Sequence, residues 1–328
     1  MKVILSRKGF DSSFGGYPSP ILPDGTLISL PIPSMKYSSS LYPKDKTPKW
    51  KTRDNKDYYP LTYSDLLLPK SARKYLDAEN LQISTFRDLL NQLLPRGIIL
   101  QDKKKYSQEL IWTCHLDPDI ESSILKRPIE WRGLFGQADK AELHLRNNFV
   151  GNDDLFLFFG WFRKTIIQEN KLIYDPNDRK GVHLIYGYLQ VGYKLSKNLN
   201  HDKVQSWMNY HPHFRFELWN ENHNTVYVAK DKLTWNNKKS GFGLFKYHSD
   251  LVLTETSKEN NPKGNKSFWK YNLFPKELRI TYHKPESYCI RTCENGVVQK
   301  YFKSAYKGQE FIITNPSPII NWVYSLFN

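Results

Sequence analysis

The sequence predicts an α+β fold with a strand-rich body, helices at its periphery and a helix near its end. Three observations carry this. From Asp154 onward, short runs rich in β-branched and aromatic residues alternate with turn residues. Helical spacing is confined to a few stretches set between or after such runs. The composition, 39% hydrophobic, 25% charged and 15% aromatic over 328 residues, is that of a chain able to bury a large core.

In chain order, Val3–Leu5 reads as an opening strand that leads into a glycine-rich loop and an Asp24-Gly25 turn. Ser84-Thr85 can cap a helix carrying Phe86, Leu89, Leu90, Leu93 and Leu94, which Pro95 stops. Ile98–Leu100 and Leu110–Cys114 read as strands, and Ala138–Arg146 as a helix. Strands are then expected at Leu155–Phe159, His183–Tyr193, Phe214–Leu218, Thr225–Val228, Leu251–Leu253, Arg279–Tyr282, Val297–Phe302 and Phe311–Ile313. Ile319, Ile320, Trp322, Val323 and Leu326 predict a closing helix over Pro316–Leu326. No firm linker separates domains. One large domain over 1–328 is expected, with a soft composition change near residue 150.

Forty-eight Lys and Arg against 33 Asp and Glu leave a charge of +15. Such a surplus favours polyanionic partners, nucleic acid first and an anionic nucleotide second. Both halves are basic, so the charge is not a detachable tail. Lys36–Lys56 carries seven cations threaded with Tyr37, Tyr42 and Trp50, and Lys258–Lys276 pairs lysines with Phe268, Trp269 and Tyr271. Charge mixed with rings suits a single strand or an extruded base; loops solvated by lysine are the plainer alternative. The apolar runs are too short for a membrane span or a signal peptide, which predicts a soluble, cytoplasmic protein with no membrane partner. Three cysteines exclude a disulfide framework and a four-cysteine zinc site.

Two groups carry the candidate chemistry. In the opening segment, Arg7 and Lys8 supply charge, Gly15 and Gly16 let backbone approach a phosphate, and Asp11 is the acid available as a base. The spacing fits neither a Walker loop nor a dinucleotide fingerprint. The second group is His115-Leu116-Asp117-Pro118-Asp119. An extended chain turns His115, Asp117 and Asp119 to one side, where an imidazole and two carboxylates can hold a divalent cation or perform acid–base work. Gln137 and His144 lie seven apart on the proposed helix and can reach a nucleotide, and Trp161 and Tyr186 can stack on a base. His211-Pro212-His213 brings two imidazoles close without an evident acidic partner, and Gln309-Glu310 opens a strand with no assigned role.

These motifs occur together as SRKGFDSS at 6–13, GGYPSPILPDGT at 15–26, CHLDPDI at 114–120, WRGLFGQ at 131–137, DLFLFFGWFR at 154–163, HLIYGYLQVG at 183–192, HPHF at 211–214, NTVYVA at 224–229 and KGQEFIIT at 307–314. In that order they resemble the nucleotide modification associated domain family, third class. The resemblance implies a part in modifying nucleotides or DNA bases, in phage or bacterial DNA modification or defence, with no settled reaction. A fainter likeness over 150–230 resembles PUA-like domains of the EVE and ASCH groups, small barrels that accommodate bases. Three readings follow. The first is a nucleotide- or base-modifying factor, with Asp11, His115, Asp117 and Asp119 catalytic and Arg7, Lys8 and the glycines on phosphate. The second is a non-catalytic reader of a modified base, and the third a nuclease holding a metal on His115, Asp117 and Asp119.

Overall fold

A computed structural model describes residues 1–33, 50–99, 104–106, 113–292, 298–306 and 310–328. Nine strands of the described residues form one sheet. They are β1 (Val3–Arg7), β2 (Ser19–Ile21), β3 (Leu134–Ala138), β4 (Leu155–Gln168), β5 (Lys171–Tyr174), β6 (Val182–Leu195), β7 (Asn224–Ala229), β8 (Phe242–Leu244) and β9 (Glu310–Ile313). The main path runs β9-β1-β4-β6-β7-β3, with β5 and β2 on β4 and β8 on β6. It has two open ends, so the PUA-like closed barrel is absent among the described residues.

The first strand pairs in parallel with β4 and antiparallel with β9, the partners of Leu5 being Leu157 and Phe311. Elements cover both faces of this centre, since Val3, Ile4, Leu5 and every residue from Leu155 to Phe159 are fully buried. That explains why these strands read as unbroken apolar runs rather than alternating ones. The phenyl rings interlock edge to face: Phe135 lies 4.8 Å from Phe156 and 5.1 Å from Phe158.

The helices are peripheral. They are α1 (Lys70–Ala78), α2 (Phe86–Leu93), α3 (Asp139–Asn147), α4 (Phe216–Trp219) and α5 (Ile320–Ser325). The second starts at a reciprocal cap: Asp88 N–H donates to Thr85 Oγ1 at 3.1 Å, and Thr85 N–H donates to Asp88 Oδ2 at 2.9 Å. A cap of this kind contributes about 1 kcal/mol. Helices α1 and α2 share a second core with Leu172 of β5, while Leu134, Leu195, Phe214 and Trp219 belong to a third. The strand-rich α+β architecture with peripheral helices and a closing helix is therefore the architecture of the molecule.

Several expected strands take other forms. Phe214–Leu218 is no strand: the 3-10 turn Pro212–Phe214 and the helix Phe216–Trp219 meet at an extended Arg215, and Phe214 is buried against Trp219 with ring centroids 5.2 Å apart. Leu251–Leu253 and Arg279–Tyr282 lie against the sheet through the single bridges Leu184–Val252 and Ile280–Ile313 and a few hydrogen bonds rather than as strands. Residues 36–49 of the first basic stretch, with Leu100, Leu110–Trp112, Cys293, Val297 and Gln309, lie outside the described residues. No helix among the described residues is long and apolar enough to cross a membrane.

Candidate active site at Lys8, Asp117 and Glu310

Successive side chains of a strand point to opposite faces, and this decides the fate of the Arg7-Lys8 pair. Lys8, just past β1, follows the side of Ser6. Its ammonium lies 3.5 Å from Glu310 Oε1 on β9 and 4.0 Å from Asp117 Oδ2. It also sits 4.5 Å above the Phe135 ring. Arg7 turns the other way. It donates to the carbonyl oxygens of Ala305 (2.9 Å) and Tyr306 (3.4 Å) and lies 5.7 Å from the rings of both Phe159 and Phe311. Arg7 and Asp117 thus do not share a cavity. Lys8 makes the join.

Asp117 is gripped from several elements. Its Oδ1 accepts the Gly136 N–H of β3 at 2.6 Å. His211 Nε2 stands 3.3 Å from Oδ1 without the alignment of a hydrogen bond, and His213 Nε2 stands 3.9 Å from Oδ2. His213 is fixed by a 2.7 Å contact of Nδ1 with Asn224 Oδ1, and the His115 ring meets it edge-on with centroids 5.6 Å apart. Gly136 permits this approach: a Cβ there would lie 2.2 Å from His213 Cγ. On the far side of Lys8, Gln137 Nε2 donates to Glu310 Oε1, while Glu310 Oε2 is buried without a partner.

The two carboxyls are pushed in opposite directions. Burial raises Asp117, but His211, Lys8 and His213 outweigh it and hold its carboxyl well below the usual range. Burial dominates at Glu310 and leaves its carboxyl raised, with Lys8, Ser6 and Gln137 pulling against it. Burial likewise drives His115 down to about 3 and His213 down to about 4, against the attraction of Asp117, so both are neutral at pH 7. The assembly is an ionised carboxylate and a carboxyl that more readily carries a proton, bridged by one ammonium and backed by neutral imidazoles. Such an arrangement can take a proton at one point and give one at another. A cavity of about 50 Å³ reaches Asp117 past Gly9, Ser29 and Tyr186.

The other expected residues take different places. Asp119 is fully buried but spent on a separate pair, accepting from Arg127 Nη2 at 2.6 Å and from the Tyr210 hydroxyl. Its oxygens are engaged there, so His115, Asp117 and Asp119 do not form a ligand triad. Among the described residues no group of three or more His, Cys, Asp or Glu is placed to hold a metal ion. Asp11 caps its own turn, its Oδ1 accepting from the N–H groups of Ser13 (2.7 Å) and Phe14 (2.8 Å). The amides of Gly15 and Gly16 donate to the carbonyls of Ile99 and Asp11. That leaves these two glycines no free N–H for a phosphate; their left-handed φ of 88° and 78° closes the turn instead.

Tyr186 lines the cavity beside Asp117. Trp161 lies away from this centre, with the Lys266 ammonium 3.8 Å from its ring centroid. His144 contacts Thr281 Oγ1 at 3.1 Å. His211, His213 and Glu310 were visible in the sequence as a spaced histidine pair and a strand-opening acid, but nothing local named their partner. No curated protein and no solved structure matches the chain. The family model for nucleotide modification associated domain 3 matches residues 2–314, nearly the whole length, and the chain belongs to that family.

Proposed function

We propose that this protein is a nucleotide- or base-modifying enzyme whose acid–base centre is Lys8, Asp117 and Glu310. The observation that carries the reading is the single ammonium placed within 4.0 Å of two buried carboxyls whose proton affinities are shifted apart. In this reading Asp117 accepts a proton from the substrate or an attacking water, Glu310 supplies one to the leaving or ring atom, and Lys8 stabilises the negative charge between them. His211, His213 and Gly136 fix Asp117, and Gln137 fixes Glu310; these are positioning residues. The family supports nucleotide modification as the process. The net charge of +15 supports an anionic substrate. The cavity beside Asp117 has room for a few waters and not for a base, so the reading requires it to widen as substrate enters.

The test is mass spectrometry of nucleosides from the DNA, RNA and free nucleotide pools of cells expressing the wild type, Asp117→Asn or Glu310→Gln. A new or depleted nucleoside with the wild type, lost in both variants while each stays folded, is the expected result. Identical profiles for wild type and variants in all three pools would overturn the enzymatic reading.

A further inference from the structure

On the face reached from the far end of β9 lies a second and larger concavity, of about 680 Å³. Lys276, Arg279 and Lys284 line it, with Asn148, Thr281 and Thr314 as neutral hydrogen-bonding groups. Among the described residues none of the three cations has an ion-pair partner. Glu277 and Glu286 neighbour them in sequence but are exposed and do not line the space. The cleft is tied to the acid–base centre by the strand that carries Glu310. Thr281 Oγ1 accepts the Ile312 N–H at 2.9 Å, Ile280 bridges Ile313, and Thr314 follows directly. His144 belongs here as well, through its contact with Thr281.

Two rings beside this cleft are held outward at some cost. Tyr282, between two lining residues, is 51% exposed at φ 63°, its ring centroid 4.5 Å from that of His144. Phe149, next to the lining Asn148, is 84% exposed at φ 52°. It closes α3 at the left-handed position that glycine ordinarily fills, with Val150 N–H donating to Leu145 O at 3.0 Å. A bulky residue with positive φ is uncommon; Phe149 is too exposed for packing to offset it, and Tyr282, half exposed, packs only against His144 and the edge of Phe311.

We propose that this cleft binds the backbone of single-stranded nucleic acid, with Lys276, Arg279 and Lys284 on successive phosphates and Tyr282 and Phe149 stacking on bases. Unpaired cations beside exposed rings are the chemistry that sequence-tolerant strand binding uses. The inference deepens the preceding reading by making its substrate a polymer rather than a free nucleotide, and rests on that reading only for the link to chemistry.

The test is fluorescence anisotropy of a labelled 20-nucleotide DNA single strand over a series of salt concentrations. Lys276→Gln/Arg279→Gln/Lys284→Gln is expected to bind about tenfold or more weakly at low salt, with the log–log salt slope reduced by about 2. Lys171→Gln/Lys232→Gln/Lys238→Gln removes the same charge from exposed lysines outside the cleft and is expected to bind far more nearly like the wild type. Phe149→Gly is expected to bind about fivefold or more weakly while melting no lower than the wild type, because glycine suits that position. Glu310→Gln is expected to bind the strand normally, which separates failure of this proposal from failure of the acid–base reading. A wild type that does not bind the strand, or a cleft triple variant indistinguishable from the wild type or from the control triple variant, would overturn it.

Discussion

Replacing Lys8 by Met keeps most of the length and the apolar stem of the side chain but removes the charge between Asp117 and Glu310. Loss of one partner from a buried ion pair ordinarily costs about 3–5 kcal/mol, because the charge left behind has no compensation. Here the cost has a ceiling, since Glu310 can escape by taking up a proton. The ceiling is the cost of protonating Glu310 in the folded wild type, and because that carboxyl is already raised above 4.5 it lies below about 4 kcal/mol at pH 7.5. That ceiling falls by about 1.4 kcal/mol per pH unit, to less than about 1.4 kcal/mol at pH 5.5. The sign follows from a raised folded-state value: the folded protein takes up the proton more readily than the unfolded chain, so acid relieves the variant. Asp117 retains the Gly136 N–H and His211 and contributes less. Urea unfolding followed by tryptophan fluorescence, on wild type and Lys8→Met at both pH values, measures this directly. The expected result is a destabilisation of about 1–3 kcal/mol at pH 7.5 that shrinks by more than half at pH 5.5. A loss below about 1 kcal/mol, or an equal loss at both pH values, would refute the placement of Lys8 between two buried carboxyls.

Three further outcomes follow from the same geometry. Gly136→Ala drives a methyl to within 2.2 Å of His213 and is expected to cost about 1–3 kcal/mol in urea unfolding, whereas Gly151→Ala, whose nearest neighbour would be Lys194 Nζ at 3.8 Å, is expected to be nearly neutral. His213, held down at about 4 against 6.5 when unfolded, contributes stability that is lost as pH falls from 6.5 toward 4, by about 3 kcal/mol. His213→Gln should therefore flatten the wild-type stability profile on its acid side; the raised carboxyls of Asp119, Glu142 and Glu310 act in the opposite sense but are common to both proteins. Asp119→Asn leaves the buried Arg127 without its carboxylate and is expected to cost about 3 kcal/mol, read by thermal unfolding, which marks Asp119 as a structural acid.

The parts legible in the sequence were those fixed by local pattern. The apolar runs at Val3–Leu5 and Leu155–Phe159 became the buried centre of the sheet, and Ser84-Thr85 with the leucines after it became a capped helix. Patterns failed where a distant partner decided the outcome. Phe214–Leu218 has the composition of a strand, yet the burial of Phe214 on Trp219 and the prolyl turn before it fold it into two short helical pieces that meet at Arg215. In the site, Lys8, Asp117 and Gln137 were recognisable by type and neighbourhood. Arg7 and Lys8 are equivalent in sequence, which does not show which face each strand residue takes. His211 and His213 lacked an acidic partner nearby because that partner, Asp117, is more than ninety residues earlier. Glu310 acquires meaning only through the antiparallel register that sets it opposite Ser6.

At the base of this account is an opposition between two carboxyls: one kept ionised, one kept readier to hold a proton, with a single ammonium spanning them. Carbon-13 NMR titration of side-chain carboxyls in Asp- and Glu-labelled protein, assigned with Asp117→Asn and Glu310→Gln, measures it most directly. Asp117 is expected to titrate below the ordinary 3.8 and Glu310 above the ordinary 4.5. Two carboxyls titrating together at ordinary values, or in the reverse order, would contradict it.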